Sequence, residues 1–158
     1  MKTLFLIRHD YTESAEANQR DFDRGLTDFG VKHAPSIGLD LVKKNDIPEL
    51  IVSSEAKRAK QTAISIAETM QLDQSQLTFN DRLYLSSPKV INEIVLKTED
   101  SINRLAIVCH NPGISTYGFV LTEDALQMEP GSISKIQFEV NSWQEIFQGL
   151  GKLIYHKR

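Results

Sequence analysis

Thr3-Leu4-Phe5-Leu6-Ile7-Arg8-His9-Asp10 is an apolar run that stops abruptly on a cation and an imidazole. Four consecutive apolar residues bounded by polar ones read as a strand buried on both faces, the usual state of a central strand in a parallel sheet. Leu50-Ile51-Val52 and Leu105-Ala106-Ile107-Val108-Cys109 have the same character. The stretches between them carry helical period. One helix opens at Thr27, a good N-cap residue, and runs toward Lys44 before Pro48. A second, with Ser54 as its cap, repeats Ala59, Ala63, Ile66, Ala67 and Met70 on one face. A third starts at Ser87-Pro88, with proline at the first helical position and Val90, Ile91, Ile94 and Val95 as its stripe. Strands alternating with helices predict an α/β protein, a three-layer α/β/α sandwich with a mostly parallel central sheet. The tail differs, because residues 133–140 and 151–156 alternate apolar and polar side chains around a turn-rich middle. They read as later strands that need not be parallel. The charged, aperiodic segment from Asp10 to Gly25 reads as a loop over the sheet edge.

Composition sets the outer bounds. The 158 residues suffice for one domain with its own core, so residues 1–158 are expected to form a single domain. Apolar residues at 41% place the chain among globular proteins, and a net charge of −3 gives no general attraction to nucleic acid or an anionic membrane. Any phosphate recognition must therefore be local. The single cysteine, Cys109, excludes an internal disulfide framework and fits a reducing cytoplasm. The apolar run at the start is too short for a secretory leader or a membrane span, so a cytoplasmic location is expected.

Ligands of open parallel sheets bind beyond the carboxyl ends of the strands. The residues there are Arg8-His9-Asp10, Ser53-Ser54 leading to Arg58, and His110-Asn111-Pro112-Gly113. Two histidines and two arginines thus converge from three strand ends, a set hard to bury together without an anionic ligand. Neighbouring arginines would repel a metal cation, and no HExxH or CxxC spacing occurs. No metal or other cofactor is expected. His33 and His156 fall in a helix and a terminal strand, away from this edge.

These segments resemble the histidine phosphatase superfamily, also called the phosphoglycerate mutase-like fold. Arg8-His9 is similar to the family's Arg-His-Gly signature, with Asp10 in place of the glycine. Ser54-Glu55-Ala56-Lys57-Arg58-Ala59-Lys60-Gln61-Thr62-Ala63 resembles its Ser-x-x-x-Arg-Ala-x-Gln-Thr-Ala segment. His110-Asn111-Pro112-Gly113, the Asp21–Thr27 stretch with Gly30, and the Ser142-Trp143 region resemble the small SixA-like phosphohistidine phosphatase branch. The resemblance implies a metal-independent phosphatase. His9 would be the nucleophile that takes the phosphoryl group, with Arg8, Arg58 and His110 around that group. Arg24 would add a further contact, and Asn111 stands near the substrate or holds the loop. The implied partners are a phosphorylated substrate, such as a phosphohistidine-carrying protein, and inorganic phosphate as product.

One element is missing from this pattern. Larger members carry a glutamate acid/base between the Arg58-type helix and the His110-type strand, and no such motif is recognisable in residues 71–104. Asp81, Asp10 and Glu13 are the candidate replacements. Asp10 also supports an alternative, a phosphate-binding regulatory module with little turnover, since a carboxylate beside His9 could repel a phosphate dianion. A small-metabolite phosphomonoesterase is a further alternative.

Overall fold

A computed structural model describes all residues 1–158. Strand β1 (Lys2–Arg8) is buried on both faces from Lys2 to Ile7, as its unbroken apolar run requires. It lies inside a six-stranded sheet with β2 (Leu50–Ser54), β3 (Leu77–Asn80), β4 (Arg104–Cys109), β5 (Ile133–Phe138) and β6 (Lys152–Lys157). The spatial order is β3-β2-β4-β1-β5-β6. The first four are mutually parallel, β5 is antiparallel to β1, and β6 is antiparallel to β5, in keeping with the alternating pattern of the tail.

Connectivity decides which helix covers which face. The crossovers β1 to β2 and β2 to β3 advance in one direction, and their helices, α1 (Asp28–Lys43) and α2 (Lys57–Thr69), pack on one face. The crossover from β3 back to β4 reverses direction. A right-handed connection therefore puts its helix, α3 (Pro88–Leu96), on the opposite face, joined there by α4 (Gly113–Thr122). Side chains along β1 alternate between the two cores: Leu4 and Leu6 meet α3 and α4, while Phe5 and Ile7 meet α1 and α2. The result is a three-layer α/β/α sandwich with a mostly parallel sheet.

Thr27 caps α1 as its sequence suggests, accepting from the Gly30 N–H at 3.0 Å, and Ser87 caps α3. Ser54 does not cap α2. That helix begins at Lys57 with Ala56 as its N-cap residue, and the Ser54 hydroxyl, at the end of β2, lies 2.8 Å from His110 Nε2 and accepts the Ala56 N–H at 3.3 Å. Helix α4 was not legible in the sequence. Its Gly113, Thr116 and Gly118 are poor helix formers, yet Ile114, Tyr117, Gly118 and Leu121 form a buried stripe.

Gly113 starts α4 directly behind the second histidine segment, and a β-carbon there would lie 2.0 Å from the Ser86 carbonyl oxygen. Backbone cannot move aside as a flexible side chain can. Gly113→Ala is expected to destabilise the protein by about 2–3 kcal/mol, the cost of forced overpacking. Urea unfolding of the two proteins measures it, and an unchanged midpoint would show that the loop before α3 gives way freely.

Candidate active site

The order reversal of the sheet falls between β1 and β4, which are hydrogen-bonded neighbours with Arg8 paired to Cys109. The residues that follow, His9 and His110, are thereby placed side by side, with ring centroids 5.0 Å apart. This is the switch point at which open α/β sheets bind ligands. Arg58 arrives from the first turn of α2, 2% exposed, with its Nε 3.4 Å from His9 Nε2.

The tautomer of His9 follows from its partners. Its Nδ1 lies 2.8 Å from the Asp10 carbonyl oxygen, which can only accept, so Nδ1 carries the proton and Nε2 holds the lone pair. The Arg58 Nε–H pointing at Nε2 agrees with that assignment. Burial, reinforced by Arg58, Arg8 and Arg24, lowers the His9 pKa to about 4. Burial and the neighbouring His9 and Arg58 lower that of His110 to about 3. Both rings are therefore neutral at neutral pH. His110 Nε2 is 2.8 Å from the Ser54 hydroxyl, and its Nδ1 is buried without a partner.

Arg8 donates through Nη1 to the Met128 carbonyl at 2.9 Å, and its buried Nε has no partner. Asn111 Nδ2 donates to that same carbonyl at 2.9 Å and its Oδ1 accepts from Ser115, so Asn111 holds the loop before β5. Arg24 and Arg58 meet on one carboxylate that the sequence did not single out as a site residue, Asp21. Arg24 Nε lies 2.9 Å from its Oδ1, and Arg58 Nη2 lies 2.9 Å from its Oδ2. The Tyr84 hydroxyl donates to Oδ2 at 2.6 Å. That hydrogen bond, with those from the two arginines, holds Asp21 well below the usual carboxylate range. The available signal was the spacing of Asp21 and Arg24 across a short 3-10 turn, Asp21–Asp23. Tyr84 carried no signal, since its role depends on the fold bringing it 63 residues back along the chain.

None of the three candidate acids brings its carboxylate into hydrogen-bond contact with His9, Arg58 or His110. Asp81 and Glu13 are exposed, and neither side chain is hydrogen-bonded to His9, Arg58 or His110. Asp10 is fully buried, but its carboxylate is turned to the Tyr11 N–H and to His33 Nδ1, 2.6 Å away. His33 is thus not remote from this edge, contrary to its reading in the sequence. Gly30 makes the difference, because a β-carbon there would lie 2.5 Å from the Tyr11 carbonyl oxygen, so α1 packs directly on the segment after His9. Nowhere do three His, Cys, Asp or Glu side chains gather in a cluster able to hold a metal ion. Burial pushes the Cys109 thiol up to about 12, leaving it inert as a nucleophile.

A family model described as histidine phosphatase superfamily (branch 1) matches residues 4–83. The chain belongs to the histidine phosphatase superfamily. A chloroplastic, uncharacterised protein of Arabidopsis thaliana is 24% identical over 154 residues, 92% of this chain and 71% of that one. Among solved structures, SixA of Agrobacterium tumefaciens superposes with a TM-score of 0.81 at 22% identity, covering 99% of this chain and 97% of that one. SixA complexed with tungstate gives 0.83 at 17% identity, over 98% and 95% of the two chains. A mycobacterial glucosyl-3-phosphoglycerate phosphatase gives 0.69 at 19% identity, over 97% of each. The chain therefore has the phosphoglycerate mutase-like fold of a phosphatase superfamily. None of its helices is long and apolar enough to cross a membrane.

The two neutral rings make stability depend on pH. Unfolded, each histidine takes a proton near its ordinary 6.5, whereas folded His9 and His110 resist until about 4 and about 3. Between those values the unfolded chain binds more protons, so stability falls as pH drops from about 7 to 4. The loss is on the order of 3 kcal/mol per histidine, at 1.36 kcal/mol per unit of pKa. Urea midpoints measured across this range should show the decline, and His9→Gln and His110→Gln should each flatten it. A wild-type midpoint that holds level from pH 7 to 4 would contradict the neutral pair.

Proposed function

We propose that this protein is a metal-independent phosphatase that removes phosphoryl groups from phosphohistidine through a phosphohistidine intermediate on its own His9. One observation carries the reading: His9 presents an unprotonated Nε2, fixed by the Nδ1 bond to Asp10, beside a buried Arg58. A neutral imidazole is the form that can attack phosphorus, and covalent capture splits one displacement into two easier ones. Arg8, Arg58 and His110 surround the transferring group, their donors following the charge on its equatorial oxygens. Arg24, tied to Arg58 through Asp21, adds positive charge to the same pocket. Nε2 attacks the phosphorus as the substrate's own P–N bond breaks and its imidazole leaves. Water then attacks the phosphorus of the intermediate, the P–N bond to His9 breaks, Nε2 regains its lone pair, and the water's oxygen and protons depart with inorganic phosphate.

Likeness to SixA over nearly the whole chain supports phosphohistidine as the substrate class. The site supports it too, since Asp10 is engaged with His33, Asp21 with Arg24 and Arg58, and neither the Asp81 nor the Glu13 side chain is hydrogen-bonded to His9, Arg58 or His110. Asp10 gave the binding-module alternative its weight, and its carboxylate is directed to His33 rather than into the pocket. The test is to incubate the protein with a phosphohistidine-bearing protein and with an aryl phosphate, with and without EDTA, and to follow phosphate release. Release from both, unaffected by EDTA, is expected. Loss of activity in EDTA with recovery on adding zinc or magnesium would overturn the metal-independent reading, and no release from either substrate would overturn the enzyme.

A further inference from the structure

Asp10 replaces a glycine of the family pattern and is fully buried, a costly place for a carboxylate unless it is paired. Its pairing is unusually complete. Oδ2 lies 2.6 Å from His33 Nδ1, and Oδ1 accepts the Tyr11 N–H at 2.8 Å. The peptide unit bearing that N–H has the Asp10 carbonyl at its other end, and that carbonyl accepts from His9 Nδ1 at 2.8 Å. The Asp10 N–H donates to Thr62 Oγ1 at 3.1 Å, and the Thr62 hydroxyl donates to the Arg58 carbonyl at 2.8 Å. One residue is therefore fastened to the nucleophile on one side and to the arginine's helix on the other.

His33 is itself held in place. Its ring stacks on Phe29 at 5.5 Å, and Phe29 meets Tyr11 edge-on at 5.1 Å. Gly131, whose N–H donates to the His9 carbonyl, approaches so closely that a β-carbon there would lie 3.0 Å from Asp10 Oδ2 and 3.1 Å from the His33 ring. The pair is closed in from three elements, β1, α1 and the turn before β5.

We infer that Asp10 and His33 act as a positioning pair for the His9 nucleophile, relayed through the Asp10–Tyr11 peptide. A carboxylate that accepts the peptide N–H polarises that peptide and makes its carbonyl a stronger acceptor. The stronger acceptor holds the His9 proton on Nδ1 and keeps the lone pair on Nε2, in the direction of Arg58. His33 keeps the carboxylate turned toward the peptide. The arrangement does by way of a backbone amide what an orienting carboxylate does by direct contact with a catalytic histidine. No covalent step is added to the reaction.

The inference rests on His9 as nucleophile, and its test has an arm that needs no turnover. The variants are Asp10→Asn, His33→Ala and the pair together; His33 is partly exposed, so its truncation leaves the core intact. Nitrogen NMR of the His9 ring reports the tautomer, and single-turnover kinetics with an aryl phosphate report capture of the phosphoryl group. Each single variant is expected to mix the His9 tautomers and to slow capture by about 10–100-fold, as loss of an orienting partner does. KM should stay within about twofold, and the double variant should be no worse than the worse single one, because the two side chains act as one unit. His9 tautomers unchanged in both single variants would overturn the positioning role whether or not the protein is a phosphatase. A raised KM with unchanged kcat would overturn it in favour of substrate binding. Mixed tautomers in a protein with no activity on any substrate would uphold the pair while sinking the proposed function.

Discussion

His9→Ala is expected to abolish turnover, lowering kcat by at least ~1,000-fold on phosphohistidine and aryl phosphate alike, with the circular dichroism spectrum unchanged. The size follows from the double-displacement route. Without Nε2 no phosphoenzyme can form, and the arginines can only bind substrate that water attacks unaided. Binding itself should survive, because Arg8, Arg24 and Arg58 remain, so vanadate or phosphate titrated against the variant should still perturb it. His9 sits at the end of β1, past the last core residue of that strand, so its loss leaves both apolar cores intact. Residual activity above a few per cent of wild type, with the fold intact, would remove His9 from the nucleophile's role.

The second large effect concerns leaving groups. Expelling an alkoxide requires a proton from a positioned acid, help typically worth about 10²–10⁴-fold. The Asp81 and Glu13 carboxylates are exposed and hydrogen-bonded to none of His9, Arg58 and His110, Asp10 is committed to His33, and Asp21 is held ionised by Tyr84, Arg24 and Arg58. An imidazole, with an ordinary pKa near 6.5, departs with far less assistance. Phosphohistidine and nitrophenyl phosphate should therefore be hydrolysed at least about a hundredfold faster than glycerol or sugar phosphates. Across a series of aryl phosphates the rate should fall steeply as leaving-group pKa rises. A flat series that becomes steep in Asp21→Asn or Asp81→Asn would reveal an acid at that position. Outright preference for alkyl phosphates would place the chain with the small-metabolite phosphatases.

Much of this site was legible because strand ends are legible. The unbroken apolar runs of β1, β2 and β4 are buried on both faces, and a residue just after such a run must emerge at the sheet's carboxyl edge. That reasoning places His9 and His110 together without knowledge of the helices, while Arg58 reaches them from the first turn of α2, just beyond β2. Side-chain direction was not legible. Ser54 looks like a helix cap, yet the strand delivers its hydroxyl to His110, three residues before the helix begins. Asp10 looks like a carboxylate beside the nucleophile, but successive residues leaving a strand point to opposite sides, and its side chain goes to α1. Asp21 and Tyr84 depend on contacts across 37 and 63 residues, which no local pattern records. Helix α4 was hidden by its glycines and β-branched residues, whose weak propensity is overridden by a buried stripe against the sheet.

The central claim is that phosphoryl transfer passes through His9 in two steps, and the configuration at phosphorus tests it most directly. A phosphate monoester made chiral with three oxygen isotopes is turned over in the presence of a diol acceptor, and the configuration of the transferred group is read by phosphorus NMR. Two in-line displacements, first onto His9 Nε2 and then onto the acceptor, predict net retention. Net inversion would mean a single direct displacement and would contradict the phosphohistidine intermediate.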